Sequence, residues 1–330
     1  MNKKRWIAVA VFVALIIMQV MTHDTSPNTS IYSPSWNSGS SWNSGVYQEG
    51  GIDQIALLEA KGTIMESEET SMFTSVGYNH RMFLEQLEQA FSDPLIKGVV
   101  LYVDSPGGGV YESDEIYADI VQLKEQYQKP FVVYMGKTAA SGGYYISAPA
   151  DKIIANKNTI TGSIGVVMSS LNIKGLLEKY GIKDQTFASG DNKTIMSPYQ
   201  DMTEEQVAII ESIIDENYQT FVDIVASGRN MDRSRVLEIA DGRIYTALQA
   251  QQVGLVDEIG DLEDAFAAAA DLAGVSNPTI INYEGNDWMP FGGLFGKLSS
   301  LSRNIIYEKT GIQEIVPTYE TPSFMYLWQW

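Results

Sequence analysis

The run Ile96 to Val103 (IKGVVLYV) limits the fold more than any other stretch of these 330 residues. Apolar residues follow one another there without regular alternation, the pattern of a parallel strand buried on both faces. Asp104-Ser105-Pro106-Gly107-Gly108-Gly109 ends the run, and a helix over about Glu112 to Gln128 follows. Upstream, the strand-like stretch Ile52 to Ala60 precedes an amphipathic helix at about Asn79 to Ser92, with Phe83, Leu84, Leu87 and Phe91 on one face. Downstream come a strand at Phe131 to Met135, a Gly/Ala/Ser turn, a helix through Tyr144 to Ala148, and strand candidates at Lys152 to Ala155 and Ile164 to Met168. Helices near Lys174 to Tyr180, Thr203 to Ser227 and Leu262 to Leu272 complete the pattern. Such alternation predicts an α/β domain with a mainly parallel sheet.

An export-type signal precedes the domain. Lys3, Lys4 and Arg5 lead into an apolar run from Trp6 to about Val20, an order that keeps the basic end in the cytoplasm. The run is short against the about 20 residues of a full span, and Trp6 and the lysines at the interface extend its reach. The exit Gln19-Val20-Met21-Thr22 lacks a small-x-small cleavage pattern. Residues 1–21 are therefore expected to remain as a single-pass anchor in the cell membrane, with the rest of the chain on the extracytoplasmic side. Residues 22–51, rich in Ser, Asn, Gly and Pro, read as a flexible stalk. The folded domain is expected over 52–275, with a C-terminal extension and apolar tail at 276–330.

Composition removes several kinds of chemistry. A net charge of -19 argues against nucleic acid, whose phosphates need clustered cations. Without cysteine there are no disulfides, thiol nucleophiles or thiolate metal sites. The two histidines, His23 and His80, are too few for a histidine-rich zinc site. No metal or cofactor is implied.

Two constellations remain. Gly107-Gly108-Gly109 follows a buried strand directly, either as a loop presenting N–H groups to an oxyanion or as a plain tight turn. Thr138-Ala139-Ala140-Ser141-Gly142-Gly143-Tyr144 puts a serine at a strand-to-helix turn among small residues, the clearance a nucleophile needs. A helix starting there would favour a developing negative charge, although a serine that merely caps the helix fits the same position. Gly136-Lys137-Thr138 superficially matches the end of a phosphate-binding loop, but Phe131 occupies the place of its required glycine. A serine hydroxyl needs a base. His23 lies in the stalk and His80 opens a distant helix, so lysine is the candidate, provided burial lowers its pKa from about 10.4 towards 7 or 8. Spacing alone does not single out which lysine.

The segments Asp104 to Gly109, Ala139-Ala140-Ser141-Gly142-Gly143-Tyr144-Tyr145, Thr161-Gly162-Ser163-Ile164-Gly165 and Ser189-Gly190 through Lys193 resemble, in that order, the signal peptide peptidase A family. The resemblance runs from about Ile52 to Ile259. It implies a ClpP/crotonase-like spiral of ββα units and a serine protease using a Ser/Lys dyad, in the short single-unit form. It further implies Ser141 as nucleophile, Lys193 as general base, Ser163 as the residue orienting the lysine, and an oxyanion hole formed by Gly108 and the Ser141–Gly142 turn. Asp191 is expected to point away from Lys193, because a carboxylate there would raise the amine's pKa. The substrates implied are remnant signal peptides and other unfolded apolar peptides lying in the membrane. In tandem-repeat relatives serine and lysine come from different halves, so a ring-like homo-oligomer with sites shared between protomers is expected here.

The apolar end Phe324-Met325-Tyr326-Leu327-Trp328-Gln329-Trp330 is unusual for a tail. It would bind a membrane, pack on the domain, or lie in a neighbouring active site as a self-substrate. Two rival readings of the chain are an acyl-CoA hydratase-like crotonase, which the export signal disfavours, and a catalytically silent peptide-binding or scaffold protein.

Overall fold

A computed structural model describes residues 42–66, 78–285 and 325–327. The anchor expected at 1–21 lies outside the described residues, as do 22–41 of the stalk. Among the described residues no helix is long and apolar enough to cross a membrane.

Among the described residues nine strands form a mixed sheet. Its centre is parallel: β2 (Gln54–Lys61), β3 (Ile96–Ser105), β5 (Phe131–Ala140), β6 (Lys152–Ala155) and β9 (Glu258–Ile259) pair in that order. Side chains leave these strands alternately to two buried layers, as the period of a strand requires. Ile55, Leu57, Val100, Val132, Tyr134 and Ile154 meet Ala265, Phe266 and Ala269 of α8 (Leu262–Ala273) on one face. Ala56, Leu58, Val99, Leu101, Val103, Phe131 and Val133 point the other way, into a larger core with α1 (His80–Ser92), α2 (Val110–Tyr127), α3 (Gly142–Tyr145) and the second half of α5 (Glu204–Gly228). Both faces are therefore dry, which explains the apolar run Val99 to Val103 of β3.

Several helix ends follow local rules. Asn79 caps α1 by accepting from Met82 N–H at 2.9 Å. Thr203 and Gln206 form a reciprocal capping box at α5, and Asp261 with Asp264 does the same at α8.

Both borders of the domain differ from expectation. Trp42–Gln48, assigned above to the stalk, forms β1 and pairs antiparallel with β10 (Thr279–Gly285). β10 in turn pairs parallel with β2, so the sheet continues past residue 275. A Ser/Asn/Gly-rich stretch becomes a strand here because a partner from the far end of the domain completes its ladder; the Tyr47 ring also meets Phe266 edge-on, centroids 5.6 Å apart. The strand expected at Ile164 to Met168 is displaced to β7 (Ile160–Gly162), and only Val167 of the later stretch makes an isolated bridge.

Tyr144 is fully buried, and its hydroxyl donates to Leu255 O at 2.9 Å, tying α3 to the layer behind it. Tyr144→Phe leaves that buried carbonyl without its partner and is expected to reduce unfolding free energy by about 1–3 kcal/mol, read from the urea midpoint at unchanged m-value.

Candidate active site

The site grows out of a change of partner along β5. Up to Met135 the strand pairs with β6; from Thr138 it pairs with β7. The Thr159 hydroxyl donates to Met135 O at 3.0 Å and to Gly136 O at 2.5 Å, satisfying carbonyls at the break. The Asp104 carboxylate accepts from Thr138 N–H at 3.0 Å on the opposite side. A Cβ at Gly136 would lie 2.5 Å from the Tyr102 hydroxyl, so any larger residue there requires the Tyr102 ring to shift.

Ser141 follows at the strand's end with φ 54° and ψ -117°, a left-handed conformation that a non-glycine residue adopts only at a cost of about 1–3 kcal/mol. Its N–H donates to Gly162 O at 2.8 Å, and its carbonyl accepts from Tyr145 N–H at 2.9 Å. The residue is 1% exposed, and its hydroxyl neither caps α3 nor bonds to any described residue. That geometry sets aside the simple capping role. The helix behind it is one turn, Gly142–Tyr145, shorter than the expected Tyr144 to Ala148, so any stabilisation of negative charge rests on individual N–H groups more than on a macrodipole.

Gly107–Gly109 forms β4, a short strand packed against this turn. Ile64 N–H donates to Gly107 O at 2.9 Å and Gly109 N–H to Ile64 O at 2.8 Å. By strand alternation the N–H and C=O of Gly108 then face the opposite edge. A Cβ on Gly108 would fall on the Ile64 carbonyl oxygen, and one on Gly142 would lie 3.1 Å from Gly108 N and 2.6 Å from Ser113 Oγ. Gly108 and the Ser141–Gly142 turn are thus in direct contact. Ser163 comes from the strand alongside: it has φ 51°, is buried, and donates its N–H to Arg243 O at 2.8 Å.

Lys193 is not brought to this cluster within one chain. It lies exposed on a 3₁₀ turn, Asp191–Thr194. Neither Ser141 nor any described carboxylate pairs with its amine, and Asp191 itself is exposed, its backbone carbonyl accepting from Gln206 Nε2 at 2.8 Å. The stretch that precedes Lys193 in sequence is open: α4 (Lys174–Lys179) buries nothing, and among its charged residues the apolar side chains Leu171, Leu176, Tyr180 and Ile182 are exposed, as is Phe187 at 96%.

The open edge of β4 is occupied. Met325–Leu327, part of the apolar tail singled out above, forms β11 and pairs antiparallel with Gly107–Gly109. On its far side Met325 exchanges two backbone hydrogen bonds with Val167, of 3.1 and 3.2 Å. An extended segment thus lies between β4 and Val167, close to the turn that carries Ser141. Sequence reasoning missed Ile64, Ser113 and Val167, which carry no motif of their own.

A small-residue turn presenting an uncapped serine beside a groove for an extended chain defines a class: a hydrolase acting on peptides. The matches in sequence agree. Residues 123–276 match the pattern of Peptidase family S49. A protein of Enterococcus faecium named "Putative signal peptide peptidase SppA" is 38% identical over 99% of this chain and 98% of its own. The chloroplastic serine protease SPPA of Arabidopsis thaliana is 32% identical over 68% of this chain and 33% of its own length. ClpP1 of Listeria monocytogenes, solved as a point mutant, is a structural neighbour at TM-score 0.41 and 15% identity, covering 63% of this chain and 93% of its own. The chain belongs to peptidase family S49 and is similar to signal peptide peptidase SppA over nearly its whole length.

Gly142→Ala forces a Cβ against Ser113 Oγ and the β4 backbone and is expected to destabilise the fold by about 1–3 kcal/mol. Ser113→Ala removes one of the colliding atoms, so the double variant is expected to lose less than the sum of the two, measured by a urea double-mutant cycle.

Proposed function

We propose that this protein is a membrane-bound serine endopeptidase with a Ser141–Lys193 dyad that degrades remnant signal peptides and other apolar, unfolded peptides. The observation that carries this reading is β11, an apolar strand of the chain's own tail held in ladder register on Gly107–Gly109 beside Ser141. A substrate in the same position brings a carbonyl to the serine. The basic and apolar start of the sequence supports membrane attachment with the domain outside the cytoplasm. The ββα spiral of ClpP/crotonase proteins is the finer description of the fold that goes with this reading.

The chemistry is acyl transfer. Neutral Lys193 takes the Ser141 hydroxyl proton as Oγ bonds to the peptide carbonyl carbon, and the oxyanion is held by the N–H groups of Gly108 and Gly142. The lysine ammonium, oriented by Ser163, returns the proton to the leaving amine as the C–N bond breaks. Water then attacks the acyl-enzyme, Lys193 accepting its proton, and releases a peptide acid and free Ser141.

Because Lys193 lies exposed and follows a segment with several exposed apolar side chains, the dyad is completed by a second copy whose surface covers that segment and supplies its Ser141. A ring of copies gives every site one serine and one neighbouring lysine. A fluorophosphonate probe is expected to label Ser141, and Lys193→Ala to reduce labelling about 10²–10⁴-fold. Mixing inactive Ser141→Ala with inactive Lys193→Ala chains is expected to restore about one site in four; no recovery would overturn sharing, and labelling unaffected by Lys193→Ala would overturn the dyad. The position of β11 favours the tail as a self-substrate, in its own cleft and not only a neighbour's, so intact mass is expected to be lower for wild type than for Ser141→Ala. Equal masses would sink that point.

A further inference from the structure

We propose that Glu112 makes a cation-selective subsite in the peptide groove, favouring Lys or Arg at the peptide position that pairs with Gly109. The inference rests on the reading of β4 as the strand that holds substrate. Glu112 is the third residue of α2, and a first-turn acid suits a helix N-terminus wherever its side chain points. Its direction is the informative part. A Cβ built on Gly109 would fall on Glu112 Oε2, so the carboxylate occupies the face of β4 that a side chain at 109 would otherwise fill. Glu66 N–H fixes it there by donating to Oε1 at 3.1 Å, while Oε2 has no hydrogen-bond partner and the carboxylate no ion pair among the described residues.

Strand geometry carries the argument to the substrate. Directly opposed residues of an antiparallel pair project to the same face, with Cβ atoms about 4.5–5.5 Å apart. Met325 is opposite Gly109. Both backbone hydrogen bonds of Met325 go to Val167, and Gly109 N–H goes to Ile64, so Met325 and Gly109 form the non-hydrogen-bonded kind of pair, in which side chains approach most closely. The side chain of any peptide residue bound at this register therefore starts about one cross-strand spacing from Oε2, within the span of a lysine or arginine. Glycine at 109 leaves the carboxylate uncovered. Gly108 lacks this feature: a Cβ there meets the Ile64 backbone. The groove thus adds one site for positive charge to binding that otherwise runs through backbone hydrogen bonds.

The test walks a single lysine, against methionine, through successive positions of an internally quenched apolar peptide and compares kcat/KM for the full-length protein. At one position lysine is expected to exceed methionine by about twofold to fivefold, the range of a partly exposed ion pair. Glu112→Gln removes the preference at that position alone, and Glu112→Lys shifts it to glutamate. In wild type, raising ionic strength to about 1 M, where the screening length falls to about 3 Å, abolishes the preference without any substitution. Cleavage with no lysine preference at any position, or a preference unchanged in Glu112→Gln, would overturn the assignment while leaving the peptidase reading intact. Absence of all cleavage would overturn both.

Discussion

The hydrogen bond from Ser141 N–H to the Gly162 carbonyl is the interaction on which the site's geometry depends. It extends the ladder between β5 and β7 by one step beyond the last regular residue of β5, and so holds a serine in a backbone conformation that free chains avoid. The strain is supported by surroundings with no slack: Thr159 and Thr161 hydroxyls on the carbonyls of β5, Asp104 on Thr138, and glycines wherever a Cβ would collide. A serine presented this way owes its direction to main-chain bonds, and its own hydroxyl stays uncommitted among the described residues.

A second constraint follows from the first. With Ser141 fixed, the turn after it leaves room beside it only for a glycine strand, and Ile64 holds that strand by both of its backbone groups. The edge left over is the one Gly108 faces, and it accepts an extended chain between itself and Val167. Binding by backbone hydrogen bonds is tolerant of sequence, which suits unfolded peptides of varied composition.

How much of this was legible in the sequence depended on whether the signal was local. The runs at β3 and β6 and the approximate starts of α1 and α5 were readable because apolar periodicity sits within a few positions of what it determines; the capping bonds of Asn79 and Thr203 appear only in the structure. β1 and β10 were not, since each becomes a strand only through a partner distant in sequence. The apolar stretch after Ser163 looked like a strand, but the left-handed turn at Gly162–Ser163 ends the ladder just before it. Ser141 was visible as a serine among small residues; its backbone angle and uncapped hydroxyl were not. Lys193 had no local signal at all. Its assignment came from resemblance, and within a single chain it lies exposed. Glu112 was unreadable for a different reason, because the direction of a first-turn side chain is set by Gly109 and Glu66 together.

The strand seated on Gly107–Gly109 belongs to the same polypeptide as the groove it fills, and that changes how occupancy responds to conditions. An intramolecular guest does not dissociate on dilution; its hold on the groove is the same at nanomolar and at micromolar protein. A visiting peptide meets a host that is vacant for only a fraction of the time, and its apparent dissociation constant is the intrinsic one divided by that fraction. Shortening or chemically altering the last few residues would therefore tune affinity for every visitor at once, without touching a single contact that the visitor makes.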